Sequence, residues 1–206
     1  MTTNSPRDES ASLYQEALAT FSRLLDEARE SGDPEPTAMT LASADAHGRV
    51  SARIVLLKGI DADGFRFFTN YESAKGVQLT AHPQVAICFH WKTLRDQVQV
   101  RVEGNVEKLS AADSDAYFAS RPRGSQIGAW ASLQSQPLPD RQTFEQRCDE
   151  VEHRHAGQQV PRPPNWGGYR VRPDRIEFWY GASYRLHERV CYASRDGVWE
   201  KGLLYP

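Results

Sequence analysis

Residues 84–109 read QVAICFHWKTLRDQVQVRVEGNVEKL, which holds two long runs of alternating apolar and polar side chains. Alternation with a period of two is typical of strands that bury one face. Three more β-rich runs precede it, AMTLASA (38–44), RVSARIVLLKG (49–59) and FRFFTN (65–70), and turn clusters such as DAHG and DADG separate them. The stretch from Ala38 to Leu109 is therefore predicted to form a meander of about five strands.

Helical patterns lie on both sides of this stretch and once inside it. From Ser10 to Ser31, apolar residues recur at spacings of three and four, which indicates an amphipathic helix. Further helices are predicted from Ser73 to Ala81, from Ser110 to Ala119 behind a capping box, within residues 121–132, and from Asp140 to His155.

The C-terminal part returns to strands. Behind a Pro-rich connector, four are expected: YRVRP (169–173), RIEFWYG (175–181), RVCYASR (189–195) and VWEKGLL (198–204). Because strands and helices do not alternate throughout the chain, the predicted fold class is α+β, with flanking helices around a mostly antiparallel sheet or barrel.

Composition excludes several classes of protein. Of 206 residues, 39% are hydrophobic and 25% are charged, so neither a disordered nor a fibrous protein is indicated. The formal net charge of -2 argues against a nucleic-acid partner, which would call for a basic excess or stripe. We expect residues 1–10 to be a flexible N-terminal segment and residues 11–206 to form a single domain.

Cysteine usage and hydropathy bear on localisation. The three cysteines, Cys88, Cys148 and Cys191, are far apart and lack metal-ligand spacing, so we expect a reduced, cytoplasmic protein. No apolar run approaches the ~18 residues that a membrane span needs, so we expect no membrane association.

The segment YRLHER, residues 184–189, carries a concentrated chemical signal. On an extended strand, Arg185, His187 and Arg189 would all point to one face. Such a row of cationic or titratable groups favours an anionic ligand such as a phosphate. A solvated edge strand, whose positive charge discourages aggregation, is the alternative.

A second basic motif, RPRGS, follows the predicted helix 110–119. The guanidinium of Arg121, the hydroxyl of Ser125 and the glycine between them suit a phosphate. Tyr117 lies one helical turn before Arg121, so both could reach the same ligand. An ordinary exposed loop remains the alternative.

A third basic pair, Arg53 and Lys58, lies in the apolar run RIVLLK. Unpaired charges would be costly to bury there. Their odd spacing places them on opposite faces of a regular strand, so they serve one site only if a bulge intervenes or if they meet different parts of a ligand. Two strand ends that reach solvent would also explain them.

Aromatic residues gather near these motifs and could wall a planar apolar ligand or form plain core: Phe67, Phe68, Trp130, Trp166, Tyr169, Phe178, Trp179 and Tyr180. The two glycines in WGGYR (166–170) suggest a close approach of the backbone to something else, although a simple turn would also need them. His153 and His155 lack further ligands for a metal, so no metal is expected. Dinucleotide-binding, P-loop and nucleophile-elbow motifs are absent from the sequence.

Six motifs, in order, resemble the pyridoxine (pyridoxamine) 5'-phosphate oxidase family: RIVLLKG, FFTNYESAKG, QVRVEG, YFASRPRGSQIGAWASLQS, WGGYR and IEFWYGASYRLHER. They extend from about Ala38 to the C-terminus, and the last is the most specific. The resemblance implies a split β-barrel that binds FMN at the interface of a homodimer, so that each site draws residues from two chains. Two chains in one site would also account for the odd spacing of Arg53 and Lys58.

The resemblance also implies site residues, carried over position by position. Implied FMN contacts are Arg53, Ile54, Val55, Leu56, Leu57, Lys58, Phe68, Thr69, Lys75, Gln99, Gln134, Ser135, Trp179 and Arg189. Implied substrate contacts are Lys58, Tyr117, Arg121, Ser125, Arg185 and His187. Arg185 and His187 would lie over the pyridine ring, on the side away from the flavin, and act at the reacting centre, where an imidazole suits proton handling near neutral pH.

The implied reaction oxidises the C4' alcohol of pyridoxine 5'-phosphate or the C4' amine of pyridoxamine 5'-phosphate to the aldehyde. The product is pyridoxal 5'-phosphate, and O2 accepts the electrons to give H2O2. In such an enzyme the cofactor supplies the redox chemistry and the protein supplies binding and orientation.

Three positions depart from the family pattern. Ala74 stands before Lys75 where many members have arginine, so one contact to the flavin phosphate is missing or replaced. Tyr180 replaces a smaller polar residue, and Gly202 lies near a position commonly held by arginine.

Other functions stay open at this point. They are a related split-barrel oxidase of another reduced aromatic substrate, of the type found in phenazine biosynthesis, a non-catalytic FMN or pyridoxal-phosphate carrier, and a nucleic-acid binder. Lys58, Tyr117, Arg121 and Ser125 occur together, which argues against the first, and turnover would distinguish the second.

Overall fold

In the computed structural model, which describes residues 6–206, all nine strands join one antiparallel sheet. The strands are β1 (Ala38–Ala44), β2 (Val50–Leu56), β3 (Gly59–Asp61), β4 (Gly64–Asn70), β5 (Gln84–Trp91), β6 (Val98–Lys108), β7 (Trp166–Tyr180), β8 (Glu188–Arg195) and β9 (Val198–Leu203). The helices are α1 (Pro6–Glu30), α2 (Ala74–Ala81), α3 (Ala111–Ala119), α4 (Arg123–Ala131) and α5 (Arg141–Arg154), with a 3-10 turn at Ser183–Arg185. The α+β class is therefore confirmed.

The order of the strands differs from the predicted meander. Along the sheet it is β2-β1-β5-β6-β7-β4-β3, while β8 pairs with β7 and β9 pairs with β8. Strand β4 pairs with β7 rather than with β5, its successor in sequence. Helix α2 lies between β4 and β5 in sequence, so the chain can cross to the other side of the sheet. The prediction of a simple meander is therefore wrong.

Strand β7 is the branch point of the sheet. Its first part, Trp166–Val171, pairs with β4, and its last part, Arg175–Tyr180, pairs with β8, while β6 follows it along nearly its whole length. The two strands predicted at 169–173 and 175–181 are thus one continuous strand.

A bulge explains why Pro173 does not end β7. The register of β6 against β7 shifts between Glu103 and Gly104, where Gly104 pairs with Pro173. A Cβ atom at Gly104 would lie 2.0 Å from the carbonyl oxygen of Arg172, so only glycine fits. Bulges tolerate a proline that cannot donate to the ladder.

Helix α1 closes the barrel core. The apolar residues at spacings of three and four in this helix are Leu13, Ala17, Phe21, Leu24 and Ala28, and all of them except Leu13 have no exposed surface. The Phe21 ring contacts aromatic rings on β4 and β5 at centroid distances of 4.8–5.6 Å. The helix begins at Pro6, four residues before the predicted start, and the first five residues of the segment expected to be flexible lie outside the described residues.

A second apolar cluster joins α3, α4 and α5 to the start of β7 and includes Phe118, Ile127, Val151 and Trp166. This cluster holds the RPRGS motif against the sheet. No helix within residues 6–206 is long and apolar enough to cross a membrane.

Candidate active site

Arg53 on β2 and Lys75 on α2 form a cationic cluster. The Arg53 guanidinium on β2 donates to Ser43 Oγ at 2.5 Å, Ser51 Oγ at 2.7 Å and Gln78 Oε1 at 3.0 Å. Every one of these acceptors is neutral. Within residues 10–206 neither Arg53 nor Lys75 forms an ion pair with a carboxylate, so both charges are left for an anionic ligand.

Lys75, at the start of α2, is the more perturbed of the two cations. Burial lowers its pKa to about 8, and the charge of Arg53 contributes in the same direction. The ammonium group donates to Gln134 Oε1 at 2.5 Å and to Ser73 Oγ at 3.1 Å. Gln134 also accepts from the Thr69 hydroxyl at 3.3 Å. Three implied cofactor contacts, Thr69, Lys75 and Gln134, are therefore brought together.

Next to this cluster, three aromatic rings lie nearly parallel. Phe68 stacks on Tyr117 at a centroid distance of 3.8 Å. The centroid of the Trp166 ring lies 5.6 Å from that of Phe68. The Arg121 guanidinium sits over the Trp166 ring at 4.6 Å. Cation–π contact of this kind holds a guanidinium without neutralising it.

The glycines of WGGYR allow this stack to form. A Cβ atom at Gly168 would lie 2.5 Å from Leu109 Cδ1 and 2.8 Å from Phe68 Cε1. At Gly167 it would lie 2.0 Å from the Tyr71 hydroxyl. The predicted close approach of the backbone to other groups is therefore confirmed.

Arg121 faces a cavity of about 320 Å³ whose lining also includes Asn70, Ser125, Gln134 and Trp166. Its Nη1 atom is buried and, among the residues that the structure describes, has no hydrogen-bond partner. Burial lowers the pKa of Arg121, so an anion beside the guanidinium would stabilise its charge. The cavity joins the RPRGS motif to the Lys75–Gln134 contact and provides a site for an anion between them.

Arg123 of the same motif has a different role. It donates to Glu152 Oε1 and to the carbonyl oxygens of Gln158 and His155, all at 2.8–2.9 Å. These partners satisfy its charge and tie α4 to the end of α5. Arg123 is therefore a structural residue.

A second group of implied site residues lies on the far part of the sheet. Gln99 on β6 pairs with Trp179 on β7, which pairs with Arg189 on β8. The His187 ring lies 4.4 Å from Trp179, and its Nδ1 accepts from the backbone N–H of Ala182 at 3.1 Å. The Arg189 guanidinium donates to Glu177, which sequence reasoning missed.

The prediction of an extended strand through YRLHER is wrong. Ser183–Arg185 is a 3-10 turn, and β8 begins only at Glu188. Tyr184 and Arg185 have φ values of 59° and 63°, so the chain turns here instead of continuing as a strand. Arg185 and His187 consequently do not share a strand face with Arg189, and Arg185 is exposed.

Lys58 belongs to neither group. Strand β2 ends at Leu56, and the Lys58 backbone N–H already donates to Arg66. Its side chain borders a separate cavity against α1, with Asp26 and Arg29. The prediction that Arg53 and Lys58 occupy opposite faces of one strand is therefore wrong, because the strand stops before Lys58.

The remaining positions are placed as follows. Ile54 is exposed on edge strand β2, Val55 and Leu56 are half-buried, and Leu57 is buried in the barrel core. Ser135, with φ of 75°, lies in the loop after α4. Of the aromatic residues, Phe67, Tyr169 and Phe178 are plain core. Among residues 10–206 no three His, Cys, Asp or Glu side chains gather as a metal site.

The two groups of site residues are far apart within one chain. Gly168, opposite Phe68, and Trp179 lie eleven residues apart on β7, which is about 36 Å of strand at ~3.3 Å per residue. In the described residues, no side-chain hydrogen bond, ion pair or ring contact joins the two groups.

An antiparallel sheet that branches at β7, with a cationic and aromatic cavity beside it, defines a split-barrel protein that binds anionic ligands. A family model described as pyridoxamine 5'-phosphate oxidase matches residues 25–155. A second model, described as the pyridoxine 5'-phosphate oxidase C-terminal dimerisation region, matches residues 166–206. The chain therefore belongs to the pyridoxine/pyridoxamine 5'-phosphate oxidase family.

Individual relatives agree with this assignment. A pyridoxine/pyridoxamine 5'-phosphate oxidase of Xanthomonas campestris pv. campestris (strain 8004) is 57% identical over 196 residues, 94% of this chain and 98% of the relative. One of Myxococcus xanthus (strain DK1622) is 54% identical over 186 residues, 90% of this chain and 89% of the relative.

Two solved structures share the fold. PhzG from Burkholderia lata 383, in complex with tetrahydrophenazine-1-carboxylic acid, is 31% identical, with a TM-score of 0.86 and 92% of each chain covered. A pyridoxamine 5'-phosphate oxidase-related, FMN binding protein from Nostoc punctiforme PCC 73102 is 18% identical, with a TM-score of 0.73 over 91% of this chain and 96% of that chain.

Proposed function

We propose that this protein is an FMN-dependent oxidase that converts pyridoxine 5'-phosphate and pyridoxamine 5'-phosphate to pyridoxal 5'-phosphate, with O2 as acceptor and H2O2 as a product. With pyridoxamine 5'-phosphate the reaction also consumes water and releases the amine as ammonia. The observation that carries the proposal is the unpartnered, buried Nη1 of Arg121, which faces a cavity shared with Ser125 and Gln134. A phosphate group would satisfy it. The family assignment supports the same substrates.

The cationic cluster fits the phosphate of FMN. Arg53 and Lys75 carry two half-buried charges held only by neutral acceptors, so a dianion would restore neutrality. Thr69 and Gln134 add polar groups beside them. When bound, FMN supplies the two-electron redox chemistry that amino-acid side chains lack.

Tyr117, Arg121 and Ser125 would bind the phosphate of the substrate. The stack of Phe68 on Tyr117 and the contact of Arg121 with Trp166 fix these groups before any ligand arrives. Such preorganisation lowers the entropy that binding must otherwise overcome. The substrate ring is thereby anchored at its phosphate, with C4' free to be oriented by other residues.

We assign that orientation to Arg185 and His187. His187 accepts at Nδ1 from the Ala182 N–H, so a neutral ring carries its proton on Nε2 and can donate it there. Arg185 extends from the exposed turn beside it. Both would hold the pyridine ring against the flavin plane and exclude water from it.

A homodimer would bring the two groups of site residues together. The edge strand β2 presents Val50 and Ile54, which are 71% and 62% exposed. A groove of about 400 Å³ next to it is lined by apolar residues such as Ala42 and Ala86 and by polar residues such as Gln84 and Asp174. Exposed apolar side chains such as Val50 and Ile54 mark an interface. In a dimer formed there, the residues around Trp179 in one chain would complete the site around Arg121 in its partner.

The half-reactions provide the direct test. We expect the visible flavin band of FMN-loaded protein to bleach when pyridoxine 5'-phosphate is added without oxygen. When air is admitted, the band should return and H2O2 should form. A bound flavin that stays oxidised with both vitamers would refute the proposed activity and favour a carrier.

Arg121→Ala tests the phosphate site. We expect its KM for pyridoxine 5'-phosphate to rise at least tenfold, because a charge-assisted contact to the phosphate is lost. Arg123→Ala is the matched control, since Arg123 already has protein partners, and it should affect stability but not KM. An unchanged KM for Arg121→Ala would overturn the assignment of the substrate phosphate.

One observation favours a second candidate. The likeness to PhzG extends over 92% of the chain at 31% identity, so oxidation of a reduced phenazine carboxylate is the alternative activity. Bleaching by such a compound but not by the B6 phosphates would select it.

A further inference from the structure

Glu177 is a buried carboxylate surrounded by three arginines. It lies on β7, 2% exposed, and forms ion pairs with Arg189 at 2.8 Å, Arg175 at 3.3 Å and Arg101 at 3.5 Å. Burial alone would raise the pKa of Glu177, but the hydrogen bonds from Arg189 and Arg175 hold it below its usual value. The carboxylate is therefore charged and shared among three neighbouring strands.

The geometry fixes Arg189 from two sides. Its Nε and Nη2 meet Glu177 Oε1 at 2.8 Å, and its Nη1 donates to the carbonyl oxygen of Tyr205 at 2.9 Å. The backbone N–H of Leu204 also donates to the Arg189 carbonyl at 3.0 Å. Because a guanidinium has five N–H groups, two of them remain for a ligand.

These two N–H groups lie beside the second group of site residues. Glu177 and Trp179 are two residues apart on β7 and so share a face, and Trp179 pairs with both Gln99 and Arg189 across the sheet. The C-terminal segment at Tyr205 closes the other side of Arg189. Glu177 therefore determines where the Arg189 guanidinium points relative to Trp179.

The surroundings of Glu177 also leave one positive charge in excess. Arg101, Arg175 and Arg189 face Glu177 and Glu103, and Glu103 pairs with Arg101 at 2.6 Å. A buried ion pair adds little net stability compared with apolar packing of similar volume. An excess cation held in place beside Trp179 and Gln99 suits the binding of an electron-rich group.

We propose that Glu177 is a positioning residue for cofactor binding, which holds the Arg189 guanidinium, together with the Tyr205 carbonyl, in the direction of the flavin. The inference rests on the proposed function, since it takes FMN as the ligand. Arg189 is the residue that touches the ligand, and Glu177 acts through it.

The experiment measures the Kd of FMN by quenching of flavin fluorescence in wild type, Glu177→Gln and Glu103→Gln. Glu177→Gln keeps the shape of the side chain and removes its charge, so we expect FMN to bind about tenfold more weakly. Glu103→Gln removes a more exposed carboxylate on the same face, whose one ion-pair partner among the described residues is Arg101, and it should stay within twofold of wild type.

A double-mutant cycle with Arg189→Gln shows whether Glu177 acts through Arg189. In the Arg189→Gln background, Glu177→Gln should cause no further loss of affinity. Equal losses in both backgrounds, or a Kd of Glu177→Gln within twofold of wild type, would overturn the inference. If Glu177→Gln does not fold, Glu177→Asp withdraws the carboxylate by one methylene and is judged by the same criteria.

The proposed function fails in a different way. If wild type neither binds FMN nor oxidises pyridoxine 5'-phosphate, the proposed function is wrong. If wild type does both and the Glu177 variants match it, only the positioning role is wrong.

Discussion

We expect Lys75 to make FMN binding dependent on pH in a range where lysines ordinarily do not titrate. Burial and the charge of Arg53 lower its pKa to about 8. A bound phosphate would favour the charged ammonium and raise this pKa toward the ordinary lysine value of ~10.4. Above pH 8, binding of FMN therefore takes up a proton. The affinity for FMN is highest below that pH and falls as the pH rises.

The size of the effect follows from linkage. With a pKa of about 8 in the free protein and a bound value near ~10.4, the Kd of FMN should rise about eightfold from pH ~7.5 to pH ~9. The flavin phosphate itself is already a dianion in this range, because its second pKa is about 6. Lys75→Arg should abolish the dependence, since a guanidinium stays charged throughout.

Fluorescence titrations of FMN at half-unit pH steps and constant ionic strength measure this dependence. Riboflavin, which lacks the phosphate, is the ligand control, and its Kd should be flat over the same range. A flat FMN curve in wild type, or the same slope in Lys75→Arg, would refute the assignment of Lys75 to the phosphate.

Three further changes test other parts of the site. Ala74→Arg adds a cation next to Lys75 and should tighten FMN binding about fivefold in low salt but not at ~1 M salt. Gly168→Ala places a Cβ atom 2.8 Å from Phe68 Cε1 and should lower the free energy of unfolding by about 1–3 kcal/mol in urea titrations. Ile54→Glu puts a charge on the exposed edge of β2 and should convert the dimer to a monomer in light-scattering chromatography.

Much of the fold could be predicted because periodicity reports burial directly. Strand β5 extends over the predicted run 84–91, since Val85, Ile87, Phe89 and Trp91 alternate and all are buried. Helix α2 ends at Ala81 before His82 and Pro83, as its sequence indicates. Strand order could not be read in the same way, because pairing of β4 with β7 joins residues about a hundred positions apart.

The candidate site was predictable where a motif lacks nearby partners. Arg121 lies in a segment with no carboxylate at helical spacing, and its buried Nη1 has no hydrogen-bond partner among the described residues. Lys75 follows Glu72 by three residues, so it was implied by the family resemblance and not by its neighbours. The turn at Ser183–Arg185 was not predicted, because the spacing of Arg185, His187 and Arg189 is also that of a strand. The positive φ angles fall on Tyr184 and Arg185, so no glycine marks the turn in the sequence. Glu177 was not predicted as a site residue, because the sequence around an acidic residue in an apolar run does not show its three arginine partners.

The length of β7 decides how the site can be assembled. Gly168, opposite Phe68, and Trp179 lie eleven residues apart along β7, and the cavity of about 320 Å³ beside Arg121 is not lined by Trp179 or Arg189. On the proposed assignment of site residues, one chain alone would therefore offer two incomplete half-sites. In a twofold dimer each β7 supplies opposite ends to two equivalent sites, so a change at the bulge of Gly104 and Pro173 should impair both sites, even though neither residue touches a ligand.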